Sequence, residues 1–129
     1  MANGTIAFDT LTTSDSANTN TEKSIDTSYI FNGVAKAWLK TVEGASPADS
    51  FNISGVTDSD TGNYLIAISN VMSNADYSVV VSKLAAGSAR DVNIGTDPVP
   101  TASAFEIFST AASSTEDQTC YATVHGDLA

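Results

Sequence analysis

The chain has 129 residues and a formal charge of −10 at pH 7, with 5 Lys and Arg against 15 Asp and Glu. Such an excess of carboxylates argues against nucleic acid, whose phosphates are met by Lys and Arg, and against an anionic membrane surface. The length fits one domain, or one domain with a tail, and is enough for a single core.

Ser and Thr make up roughly a quarter of the residues, above ordinary soluble usage. Hydroxyl side chains at that density suit half-solvated sheets and turns better than packed helices. Cys120 is the single cysteine, so no intrachain disulfide is available. The start Met1-Ala2-Asn3-Gly4-Thr5 has neither the basic opening nor the apolar core of a signal peptide. No apolar run approaches the ~20 residues of a membrane helix. The expectation is a chain that stays in, or is assembled from, the cytoplasm.

Residues 1–28 are set apart by composition. Ile6, Phe8 and Leu11 are followed by a polar stretch, Thr12-Thr13-Ser14-Asp15-Ser16-Ala17-Asn18-Thr19-Asn20-Thr21-Glu22. That stretch carries too little apolar surface to order itself alone. Two readings stay open: a flexible tail, or an extended arm laid along a partner with Ile6, Phe8 and Leu11 as anchors.

Four β-type runs occupy Tyr29 to Ser82. From Val34 the alternation is clear: Ala35, Ala37 and Leu39 face one way, and Lys36, Trp38 and Lys40 the other. Phe51 and Ile53 are expected to share a face. Asp58 to Asn63 reads as a turn, with Gly62 supplying the positive φ that closes a hairpin. Tyr64, Ile66 and Ile68 then share a face, as do Tyr77, Val79 and Val81. Residues 84–102 are irregular, with a short strand at Asp91 to Ile94. Strands at 104–109 (Phe105 and Ile107 inward) and 118–125 (Cys120, Ala122 and Val124 inward) close the chain. The pattern predicts an all-β protein: a single antiparallel β-sandwich of about seven strands over 29–129, preceded by an extended N-terminal arm over 1–28.

No chemical site emerges. Asp58-Ser59-Asp60-Thr61-Gly62-Asn63 has the cadence of a calcium loop, but Ser69 stands where the bidentate acidic ligand belongs. His125, the only histidine, has no Gly-x-Ser-x-Gly elbow to serve. Cys120 reads as a small buried hydrophobe. No phosphate loop, Rossmann fingerprint or zinc spacing is present, so no catalytic, cofactor or metal residue is assigned. Trp38 reads as core packing or a subunit contact, with a sugar-stacking platform as the alternative.

One ordered set of motifs remains: Gly33-x-Ala35-Lys36-Ala37-Trp38, Ser50-Phe51-Asn52-x-Ser54, Gly62-Asn63-Tyr64 and Asn74-Ala75-Asp76-Tyr77. In that order they resemble a recurrent small β-rich module in virion proteins of tailed phages, marine phages and cyanophages especially. Gly4-Thr5-Ile6 with Asp9-Thr10-Leu11 is similar to the start of such modules. The resemblance covers about 100 residues and is strongest over 29–82. Two departures touch loops and rim: Glu43-Gly44-Ala45-Ser46-Pro47 replaces a Gly-Thr-Gly turn, and the close Val124-His125-Gly126-Asp127-Leu128-Ala129 differs.

The resemblance implies a non-enzymatic part of a fibre, tail appendage or capsid decoration. It would be a homotrimer docked on other virion proteins through its N-terminal arm and located in the virion. A receptor- or glycan-binding role at a fibre tip is the alternative.

Overall fold

The computed structural model describes residues 10–12, 24–43, 46–84, 90–111 and 114–129. The chain divides by its contacts into residues 1–34 and 35–129. In the first unit, β1 (Thr10–Thr12) pairs antiparallel with β2 (Ser24–Asp26), and a short helix, α1 (Thr27–Gly33), follows at once. Tyr29-Ile30-Phe31, read from sequence as β-type, therefore sits in a helical turn, and the first unit by contacts runs to Val34. The local cause is a cap. Asp26 takes an extended conformation, and its carboxylate accepts the Ser28 N–H at 2.7 Å. At seven residues, α1 is too short to print a helical period on the sequence.

Residues 35–129 hold nine described strands: β3 (Ala37–Thr41), β4 (Pro47–Phe51), β5 (Ile53–Asp60), β6 (Asn63–Ile68), β7 (Ser78–Lys83), β8 (Arg90–Ile94), β9 (Ala104–Ala111), β10 (Ser114–Thr115) and β11 (Cys120–His125). One antiparallel sheet runs β4-β3-β11-β7. The other contains β5, β6, β8, β9 and β10, with β9 paired to β6 and β10 along one edge and to β8 along the other. The all-β sandwich expected from the alternation is what forms. It has more than seven strands because residues 47–60 make two strands, and because β10 adds a short rung.

The core lies between the sheets. Ala37, Leu39, Ala122 and Val124 come from one side, and Tyr64, Ile66, Phe105 and Ile107 from the other, all buried. On β3, β6 and β11 burial alternates residue by residue, as a sheet with one apolar face requires. Cys120 is buried among them, and burial pushes its thiol pKa up. Its main-chain N–H donates to the Thr41 hydroxyl at 2.9 Å, so a polar residue on the inner face of β3 is satisfied.

Asn52 makes the corner between the sheets. It is the one non-glycine described residue with positive φ, at 57°. Its amide donates to the carbonyls of Lys36 (2.9 Å) and Asn70 (3.1 Å), and its side-chain oxygen accepts the Asn70 N–H at 2.7 Å. The left-handed step resets the alternation. Phe51 points out of the four-stranded sheet, whereas Ile53 packs on the core from the other sheet. The expectation that the two share a face fails here, because alternation holds only within one strand.

Two further contacts frame the sandwich. The Tyr77 hydroxyl lies 2.8 Å from the Thr101 carbonyl and 2.9 Å from that of Ala104, while its ring meets Phe105 edge-on with centroids 6.4 Å apart. Lys83, at the end of β7, turns its ammonium to the main-chain carbonyls of Asp91 and Thr110 and to the Ser109 hydroxyl, and so links β7 to the opposite sheet.

Candidate functional site

The outer face of the four-stranded sheet carries the largest exposed side chains that the strands align. Trp38 on β3 lies directly opposite Phe51 on β4 and Thr123 on β11, and Thr123 lies opposite Val80 on β7. Side chains at paired positions of an antiparallel ladder share a face. A row Phe51, Trp38, Thr123, Val80 therefore crosses all four strands. Phe51 is 55% exposed, Trp38 38% and Val80 61%. In the next row Asp49, Lys40, Tyr121 and Ser82 align. The Lys40 ammonium sits 5.8 Å from the Tyr121 ring centre, within cation–π range. Trp38 thus stands outside the core, with its apolar surface turned away from it.

Of the other anchors expected from sequence, Ile6 and Phe8 lie outside the described residues. Leu11 is on β1, opposite Ile25, and its side chain also lies outside the described set. Asp58 to Asn63 forms a hairpin. Thr61 and Gly62 make the turn between the paired Asp60 and Asn63, and the Asp60 carboxylate accepts the Thr61 N–H at 2.8 Å. Gly62 has φ 79°, as its place in the turn predicts. His125 is partly buried at the end of β11, opposite Ser78.

A second feature was not foreseen. On the outer face of the five-stranded sheet, Glu106 is only 4% exposed, although its neighbours Phe105 and Ile107 point to the core. The segment after β8 covers it, and a cavity of about 350 Å³ opens beside it, lined by Asn63, Gly95, Thr96, Asp97 and Phe108 among others. Gly95 donates its N–H to the Glu106 carbonyl at 2.9 Å, and a β-carbon there would run into the Glu106 side chain. Burial pushes the Glu106 carboxyl above its ordinary value, and the Asp97 carboxylate adds to the shift. The Asn63 side-chain oxygen is buried with no hydrogen-bond partner. Asn63 and Glu106 lie far apart in the chain and meet only through the β6–β9 pairing, so no local motif announces them.

The raised Glu106 pKa has a defined sign in stability. A carboxyl whose pKa is higher folded than unfolded favours the fold while protonated, and that contribution is lost as pH rises through the raised value. In EDTA, Glu106→Gln is expected to be more stable than the native chain at pH 7. The gap should close below the ordinary value of 4.5, as urea unfolding at the two pH values would read.

No group of three His, Cys, Asp or Glu side chains gathers among the described residues. No helix there is long and apolar enough to cross a membrane. Comparison with family models, curated proteins and solved structures finds no match to this chain.

Proposed function

We propose that this chain is a non-enzymatic structural component of a tailed-phage virion, an oligomeric fibre, appendage or capsid-decorating part held by its N-terminal segment. The observation that carries the reading is the Phe51–Trp38–Val80 row, which puts apolar side chains on the outside of an otherwise acidic, hydroxyl-rich chain. Rows of exposed aromatic and branched side chains mark association surfaces. Residues of three of the ordered motifs support it too, since they form part of the frame. Asn52 is the corner, Gly62 the hairpin turn, Tyr64 a buried core residue and Tyr77 a tie to the 101–104 segment. The partner in the first instance is a second and third copy of the same chain, with other virion proteins meeting the N-terminal segment.

The test combines mass and incorporation. The native chain is expected to sediment as a trimer, and Trp38→Ser with Phe51→Ser to sediment as a folded monomer. Deleting residues 1–28 is expected to leave a folded module that no longer joins particles. A native monomer, or normal incorporation of the truncated chain, would overturn the reading.

A second reading has its own observation. Trp38 and Tyr121 are exposed beside Lys40 and Asp49, an aromatic surface with polar neighbours of the kind that stacks on sugar rings. Binding of the native oligomer on a glycan array, lost in Trp38→Ala, would favour a host-surface glycan receptor role.

A further inference from the structure

We propose that the cavity beside Glu106 binds a hard divalent cation, Ca²⁺ foremost, on the carboxylates of Glu106 and Asp97 and the side-chain oxygen of Asn63. Three elements bring these residues to one cavity: β6 supplies Asn63, β9 supplies Glu106, and the segment after β8 supplies Asp97.

The lining is rich in acceptors and poor in donors. Glu106 is 4% exposed, and among the described residues its carboxylate has no hydrogen bond or ion pair. The Asn63 oxygen is buried and unmatched as well. A carboxylate on a residue only 4% exposed and a buried amide oxygen without a partner are both costly in a folded protein. A cation that takes oxygen ligands offsets both costs.

The donor set selects the metal. Two carboxylates and an amide oxygen, with no clustered His or Cys among the described residues, are the hard ligands of Ca²⁺ rather than of Zn²⁺ or Cu²⁺. Main-chain carbonyls and water would complete the six to eight oxygens Ca²⁺ takes. Gly95 contributes by lacking a side chain, which lets the Glu106 carboxylate lie against the backbone. With only two charged ligands, affinity belongs in the millimolar range of weaker calcium modules. The inference does not depend on the virion reading.

The test is thermal unfolding of the full chain in CaCl₂ against NaCl of equal ionic strength, with Glu106→Gln and Asp97→Asn alongside. A site with Kd near ~1 mM predicts a rise of about 4 °C in Tm at ~10 mM CaCl₂. Both variants are expected to lose that rise. Asp97 lies on an exposed segment, so Asp97→Asn keeps the test decisive should Glu106→Gln fold poorly. Absence of a rise beyond the NaCl control, or a rise retained in either variant, overturns the proposal.

Discussion

Gly62→Ala is expected to destabilise the protein by at least about 3 kcal/mol, read as a lower urea midpoint at unchanged m. Two causes act together. The turn holds Gly62 at φ 79°, where a side chain costs about 1–2 kcal/mol. The new β-carbon would also stand 2.5 Å from the Ser109 carbonyl oxygen and 2.9 Å from the Glu116 nitrogen. Both neighbours are main chain and cannot swing aside as a side chain can. Relief requires moving the turn, which breaks the Ser109 N–H bond to the Gly62 carbonyl (2.8 Å) and the Gly62 N–H bond to the Asp117 carboxylate (2.7 Å). Each is worth about 1 kcal/mol. A loss under about 1 kcal/mol would refute this packing of the turn.

Asn52→Ala is expected to cost about 2–3 kcal/mol. Three hydrogen bonds disappear, although water partly replaces the more exposed pair to Asn70. Alanine is also strained at φ 57°. Asn52→Gly separates the causes, because glycine accepts the left-handed backbone but makes none of the side-chain bonds. The glycine variant should recover roughly 1 kcal/mol relative to alanine. Equal losses in the two would show that the backbone step is not part of the cost.

These two residues mark the limit of what alternation reveals. Within a strand it works: Tyr64, Ile66 and Ile68, and again Cys120, Ala122 and Val124, were legible as inward sets and are buried. Across Asn52 it fails, because a left-handed residue lets the chain change sheets and restarts the count. At Glu106 it fails differently. The residue occupies the outward phase of β9, yet another segment covers it, and coverage is a tertiary fact that no period of two records. Trp38 was legible as facing away from Ala37 and Leu39. Its alignment with Phe51, Thr123 and Val80 needed the register of three ladders. The helix over Thr27–Gly33 escaped because Tyr29, Ile30 and Phe31 favour strands, and the Asp26 cap decides locally.

Lys83 has a mechanical consequence. Its ammonium reaches the carbonyls of Asp91 and Thr110 and the Ser109 hydroxyl from the end of a strand in the facing sheet. Sliding one layer over the other at that margin would strip a charged donor from three acceptors at once. The margin therefore works as a clasp against shear, and resists a load that apolar packing alone would let slip.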